Sequence, residues 1–259
     1  MFKRIIRDSY YSYKAMFSYY GVVPYLLYKI VNSFFQICFF ALFSIYLFGQ
    51  KNVTDWIIGN AFMLSSCNSL FGVGVNATYE RIFGTLKYEV ASSADILTRY
   101  LLQIIMHIFD GIFNIMLGIF YGALFFNLEI DFVMFIKLFA IATISMISIA
   151  CFSLFIGNIG LIIRDMSSIL NFVNMFIMIC AGVNYPIEIM PRALRVSGRF
   201  LPLSGGIMAA RMVVNGNESG ILNMIAHETA VGCIYIVIAV ILYKVIESIA
   251  IRRAKIDLM

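Results

Sequence analysis

The sequence predicts an all-α integral membrane protein. It should have six transmembrane helices, an N-terminal amphipathic interfacial helix and a re-entrant external segment before the last span. Three observations carry this reading. Of 259 residues, 62% are hydrophobic and 13% charged, against about half and roughly a quarter in soluble domains. Apolar runs of about 18 residues or more, the length that crosses a bilayer, recur along the chain. Lys and Arg gather in alternate connections, the asymmetry that orients spans.

The elements follow in order. The stretch "FKRIIRDSYYSYKAMFSYYGVVPYLLYK" holds seven of the fifteen tyrosines. Tyrosine rings favour the headgroup level, and basic side chains favour anionic lipid. Residues 1–27 are expected to lie on the cytoplasmic membrane surface and to turn at Gly21 and Pro24 into the first span. The alternative is a basic leader that only sets topology. The first 20 residues are too polar for the core of a cleavable signal peptide, so the first span is expected to direct insertion. The spans are Tyr28–Phe48, Thr54–Ala77, Tyr100–Phe126, Phe132–Ile163, Met166–Val183 and Thr229–Ala250. The fourth is long enough to tilt or kink, and the fifth is short. Residues 251–259 form a tail, and the whole chain, 1–259, reads as one domain.

Six spans put both termini on one side. Lys3, Arg4, Arg7 and Lys14 precede the spans, Arg81, Lys87 and Arg99 lie in the 78–99 loop, and Arg252, Arg253 and Lys255 lie in the tail. The connections at 49–53 and 127–131 hold one basic residue, Lys51. The termini are therefore expected in the cytoplasm, against the opposing weight of Arg192, Arg195, Arg199 and Arg211 in the 184–228 connection. That connection carries three of the four prolines with apolar residues between them. An apolar segment broken by Pro and Gly suits a re-entrant element, with Tyr185, Pro186, Pro191 and Pro202 marking its bends. A folded external loop is the alternative.

Few residues point to chemistry. GxxxxGK[ST] and GxSxG are absent, and "HETAV" lacks the second histidine of HExxH. Two histidines and five scattered cysteines (Cys38, Cys67, Cys151, Cys180, Cys233) give neither a metal site nor a disulfide framework. No Lys/Arg run is long enough to suit nucleic acid. The polar residues inside the spans say more. Arg99, Gln103, His107, Asp110, Asn114 and Gly118 recur at steps of four, four, three, four and four, which is one face of a helix. A mid-bilayer charge costs roughly 2.5–3.5 kcal/mol, so Asp110 should not face lipid. His107 and Asp110 are one turn apart and can pair. This face either lines a translocation route or makes interhelical hydrogen bonds. Ser65, Asn68, Ser69, Gly72 and Asn76 share a face of the second span, and Ser167, Asn171, Asn174 and Gly182 a face of the fifth. "GIFYG" at 118–122 matches the GxxxG packing pattern.

Between the second and third spans lies "NATYERIFGTLKYEVASS", residues 76–93. Ile82, Leu86 and Val90 share one helical face, the pattern of a short amphipathic helix along the membrane with a face left for a soluble partner. Its "ERIFGTLKYEVASS" resembles the E-R-x-x-G-T-L-E-x-L-x-x-[ST]-P segment of ABC-2 type permeases, the membrane subunits of ATP-binding-cassette exporters. Glu80, Arg81, Gly84, Thr85 and Leu86 match, and Ser93–Ala94 stands where Ser-Pro is usual. Gly182, Tyr185, Pro186, Met190, Pro191, Leu201, Pro202, Leu203, Ser204 and Arg211 resemble the family's external segment.

The resemblance implies a bacterial plasma-membrane permease that exports an amphiphilic solute: a drug, an antimicrobial peptide or a lipid-linked glycan. Residues 80–92 would be the coupling helix, with Glu80, Arg81, Gly84, Thr85, Leu86 and Tyr88 at the ATPase contact. Arg164 and Asp165 would be a second contact. Partners would be a separate ATPase subunit, a second permease subunit and membrane lipid. The chain would hold no cofactor or catalytic residue, and ATP and Mg would bind the partner ATPase. Gln103, His107, Asp110, Asn114, Asn171 and Asn174 are the route candidates. A proton-coupled secondary transporter using Asp110 and His107 is the reading from a different class. A membrane-embedded enzyme is a weaker third, for want of a catalytic constellation.

Overall fold

A computed structural model describes residues 21–75, 78, 82, 84, 96–160, 163 and 165–253. Among them are eight α-helices: α1 Val22–Phe48, α2 Val53–Gly74, α3 Ile96–Phe126, α4 Phe132–Ile159, α5 Met166–Cys180, α6 Arg192–Phe200, α7 Ser204–Val214 and α8 Ile221–Arg253. Short 3-10 turns occupy Gln50–Asn52 and Ile187–Ile189. Five helices are long and apolar enough to cross a membrane: Val23–Phe48, Val53–Gly74, Ile104–Phe126, Phe132–Ile159 and Ile221–Ile246. The protein is therefore a multi-pass membrane protein built of helices.

Several boundaries differ from those read in the sequence, each for a local reason. Gly21, at φ +72°, sets the turn into α1, and Pro24 sits in its first turn, where the missing N–H has no helical partner to lose. Residues 22–27 thus continue the helix of the first span, and the rest of the expected interfacial helix, residues 1–20, lies outside the described residues. Helix α5 stops at Cys180, and Gly182 follows in the left-handed region at φ +74°, a common way to end a helix. Its 15 residues extend about 22 Å, short of the roughly 30 Å hydrocarbon core. Asp165 caps α5: its carboxylate accepts from the Ser168 N–H at 3.3 Å and from the Ser168 hydroxyl, which holds the carboxyl below its usual pKa. Helix α8 begins at Ile221, eight residues before the expected Thr229, because nothing between Gly220 and His227 breaks a helix. The 184–228 connection is thereby shortened, and most of it is helical.

Side-chain contacts fix which ends of the helices lie together. Arg211 on α7 reaches Asp55 at the start of α2, and Lys137 near the start of α4 pairs with Glu218 just before α8. These residues, with the 49–53, 127–131 and 181–220 connections, form what we call the far end. Val73, Ile104, Leu154, Tyr243 and Ile246 cluster at the other, near end. Gly21 and the finish of α8 both belong to the near end.

Helix α2 is the centre. In its most apolar stretch 83% of residues are buried, against 22% for α1 and 28% for α8. It packs against α1, α3, α4, α5 and α7. Lipid tails are as apolar as leucine, so helices in a membrane associate through close packing and interhelical hydrogen bonds. Small residues provide the closeness. A Cβ at Gly118 would stand 2.6 Å from Ala61 Cβ, and one at Gly122 2.8 Å from Ile57 Cγ2, so "GIFYG" is the α3 face that meets α2. A Cβ at Gly59 would stand 1.9 Å from the Val183 carbonyl oxygen. The larger apolar side chains Ile58, Phe62, Leu70, Ile115, Leu138, Met146, Leu170 and Ile207 fill the main core.

Gly59→Ala tests the tightest approach. Alanine raises helix propensity by up to about 1 kcal/mol, but overpacking costs about 1–3 kcal/mol and here meets backbone that cannot rotate away. Gly59→Ala should lower the thermal midpoint in detergent. Gly157→Ala, where a Cβ would lie 3.3 Å from the Val73 oxygen, should change it much less.

Candidate functional site

The polar face expected on α3 is present, and it is turned inward. His107 and Asn114 are buried. Gln103 lies on the same stretch of helix, but its side chain is outside the described residues. His107 and Asp110, which their spacing would allow to pair, are not bonded to each other. Asp110 instead binds α1: its carboxylate pairs with the Lys29 ammonium and accepts from the Tyr25 hydroxyl at 3.1 Å. The Lys29 ammonium also stands 4.8 Å from the Tyr25 ring centroid, within the range of a cation–π contact. His107 is laid against α2, where a Cβ on Gly72 would come within 2.2 Å of its ring.

Lys29 and Asp110 each lie six positions into their spans, counted from Val23 and Ile104, about 9 Å along the helix. They therefore sit at matching depth. Further contacts line the same seams. Ser65 donates to the Gly111 carbonyl at 2.7 Å, and Tyr121 to the Ile30 carbonyl at 3.2 Å. Asn114 is 1% exposed, and neither end of its amide has a hydrogen-bond partner among the described residues. A buried amide with neither end bonded costs free energy, which makes Asn114 the position on this face where a bound polar group would find partners.

The other route candidates lie elsewhere. Helix α5 packs chiefly on α2 and α6. Asn171 is on its exposed face and Asn174 is half-buried. The face of α5 is thus not continuous with that of α3, because α2 packs against both.

The segment read as re-entrant is a folded unit at the far end. Tyr185 and Pro186 are exposed, and Pro186 opens the 3-10 turn at Ile187–Ile189. Pro191 precedes the first turn of α6, and buried Pro202 precedes α7. Arg211 fastens this unit to α2. Its guanidinium donates to the Asp55 carbonyl at 2.8 and 3.1 Å, to Gly182 at 2.7 Å and to Val183 at 2.6 Å. Asn60 Nδ2 adds a bond to Asn184 Oδ1 at 2.8 Å. Glu228, fully buried on α8, holds the other side. Its carboxylate accepts from the Leu203 N–H at 2.8 Å, Gly205 at 3.1 Å and Gly206 at 3.3 Å. Those N–H groups have no partner within the helix, and the positive end of the helix dipole favours a carboxylate there. Leu203 adopts φ +76°, uncommon without glycine, and the Glu228 bond holds it there.

Lys29 and Glu228 were not singled out in the sequence. A signal existed for Lys29: it is the lone charged residue of α1, as Asp110 is of the apolar stretch of α3. Two lone opposite charges in separate spans are expected to pair. The coupling candidates Glu80, Arg81, Thr85, Leu86 and Tyr88 lie outside the described residues. Gly84 is described, at φ +69°, and a Cβ there would meet no described residue within 4 Å.

The Lys29–Asp110 tie has a measurable weight. Removing one partner of a buried pair costs about 3–5 kcal/mol, whereas replacing both by apolar residues is often near neutral. Asp110→Asn and Lys29→Met should each lower the unfolding midpoint in detergent strongly, and Lys29→Met/Asp110→Leu should recover most of the loss. Additive losses in the double variant would show that the two residues do not act as a pair.

Comparison with known proteins bears on what these helices belong to. The search of curated proteins finds no match. The family model described as ABC-2 type transporter matches residues 2–215, which takes in α1 to α7 with both segments quoted above. A helical membrane protein matched over that length belongs to the ABC-2 type transporter family, and is the transmembrane permease component of an ABC transporter rather than its ATPase.

Proposed function

We propose that this permease exports an amphiphilic solute across a bacterial plasma membrane, driven by a separate ATPase subunit that grips residues 80–92. The observation that carries the proposal is the family match over residues 2–215, since permeases of this family usually work with an ATPase subunit. On this reading α5 completes a sixth span, residues 1–20 lie at the cytoplasmic membrane surface, and α6 and α7 are the re-entrant external element. The near end is then cytoplasmic. Helix α3 begins there, with Arg99 in its first turn, and in the sequence Arg81, Lys87 and Arg164 fall in the connections that join helices at that end. Arg211 no longer opposes this orientation, because its charge is engaged by three backbone carbonyls.

A second permease subunit would complete the route, and ATP with Mg would be bound by the ATPase. A drug, an antimicrobial peptide and a lipid-linked glycan all fit as substrates, with drug or peptide ranked first. The proton-coupled alternative loses support from the pairing of Asp110. Asp110 is tied to Lys29 and Tyr25 of α1 and not to His107, the partner that alternative gives it.

The experiment is directed at the coupling segment. A charge buried without a partner in a protein contact costs several kcal/mol, hence orders of magnitude in affinity. Leu86→Asp and Gly84→Trp should leave the permease folded in the membrane. They should abolish co-purification with the ATPase subunit and substrate-stimulated ATP hydrolysis. Wild-type binding and stimulation in both variants would remove residues 80–92 from the coupling role and the near end from its cytoplasmic assignment.

A further inference from the structure

Helix α6 lies well below the outermost residues of the far end. Its Phe200 carbonyl accepts from the Tyr235 hydroxyl at 3.0 Å. Tyr235 stands 14 positions beyond Ile221, where the apolar stretch of α8 begins, about 21 Å along the helix. Long side chains on a helix lean toward its N-terminus, so the hydroxyl sits somewhat nearer the far end than that. A second contact points the same way. A Cβ at Gly198 would stand 2.2 Å from the Cys180 carbonyl oxygen, so α6 rests on the last turn of α5. The chain after that turn meets α2 where Val183 faces Gly59, six positions past Val53 and about 9 Å along α2.

At that depth the exposed side chains of α6 constrain the surroundings. Arg192 and Arg199 share one side of α6 and are exposed. Val196 and Phe200, beside them, are 47% and 67% exposed. An exposed guanidinium needs water or headgroups around it, whether or not a carboxylate pairs with it, and hydrocarbon supplies neither. Val196 and Phe200 need the opposite. A helix with both kinds of face belongs at the boundary of headgroups and hydrocarbon. Below it, Phe172, Met175 and Ile179 expose an apolar face on α5, and exposed Asp165 marks the near-end limit of that face. Between Asp165 and α6 the apolar height is the 15 residues of α5, about 22 Å, against a hydrocarbon core of roughly 30 Å. A bilayer can meet a short span by thinning. Val23–Phe48 of α1, with 26 residues, is long enough for the full core.

We propose that the α5–α6 surface binds a thinned patch of the bilayer, in which the headgroups of the far-end leaflet are drawn down to Arg192 and Arg199. The patch is about 8 Å thinner than the core elsewhere. It requires α5 to cross the bilayer as a sixth span, as proposed above.

The protein, cysteine-free but for one site, carries a fluorophore at Phe200→Cys or at Phe39→Cys and is reconstituted in phosphatidylcholine vesicles. Phe39 is exposed on α1, nine positions before Phe48 and about 14 Å from the far end of that span, a depth comparable with that of Phe200. Phospholipids bearing a nitroxide on the headgroup or midway along the acyl chain quench the fluorescence. The headgroup label should quench more strongly at residue 200, and the acyl label at residue 39. Leucine at both Arg192 and Arg199 should reverse the order at residue 200, and lysine at both should keep it. The comparison of residues 200 and 39 decides the matter if the leucine variant does not fold. Stronger acyl quenching at both positions would overturn the proposal, as would stronger headgroup quenching at both, which would put that whole level outside the hydrocarbon. Quenching at residue 200 by aqueous iodide but by neither lipid would assign α6 to a water-filled vestibule, and protection from all three to a covering subunit; either overturns the lipid patch. An impermeant maleimide separates this from the sixth-span reading. It should reach Ser167→Cys and Asn217→Cys from opposite sides of the membrane. Labelling of both from one side removes α5 as a span, whereas opposite sides with acyl quenching at residue 200 remove only the thinned patch.

Discussion

The Arg211 guanidinium holds the far end together. A helix bundle in lipid gains little from hiding one apolar surface against another, because lipid is as good a partner. What distinguishes one arrangement from another is polar contact and close backbone approach. Arg211 supplies the first, bonding to Asp55, Gly182 and Val183, and Gly59 permits the second beneath Val183. Without that cation, three carbonyls at the start of α2 and the end of α5 lose their shared donor. The turn that carries α5 into α6 would then keep the Asn60–Asn184 bond to α2 but lose its charged tie.

The same logic recurs at other levels of the bundle. Near the opposite end, Lys29 and Asp110 join α1 to α3. Without that pair, α1, most of whose surface is exposed, would rest on the Tyr121 bond to the Ile30 carbonyl and on apolar contacts such as Phe34 with Tyr121 and Phe43 with Trp56. On α8, Glu228 takes up the N–H groups at the start of α7, and Asn158 on α4 donates to the Ala239 carbonyl at 2.8 Å. Each contact joins two helices and satisfies polar groups that lipid cannot. They are few, so each has a large share in fixing the register of its helices.

Most of the long elements were legible in the sequence because their signal is one of quantity: a long apolar run is a span whatever its neighbours. The starts of α2 and α4 came within a residue for that reason. The shorter elements depend on single residues. Gly182 ends α5 before it reaches a bilayer's thickness, and α8 begins two turns early because its first turns contain no breaker. The polar face of α3 was visible from spacing, but its partners were not. Spacing says which side chains share a face, and only the packing of α1 and α2 decides that Asp110 meets Lys29 and His107 meets Gly72. The "LPLS" at 201–204 was legible as a motif without a reason. The structure supplies one: Leu203 turns left-handed so that its N–H joins those of Gly205 and Gly206 on Glu228.

The shape of this permease rests on polar ties between apolar helices, and the most direct measurement removes the largest of them. Trp56, the one tryptophan, is buried next to Asp55 among Phe40, Phe43 and Phe48, so its fluorescence reports on the start of α2. Thermal unfolding followed at Trp56 should show Arg211→Met losing about 3 kcal/mol or more, about 6–12 °C at 2–4 °C per kcal/mol. Arg211→Lys should lose nearly as much, because one ammonium cannot span three carbonyls. An Arg211→Met midpoint equal to that of the wild type would mean that apolar packing alone holds the far end, and would contradict the account.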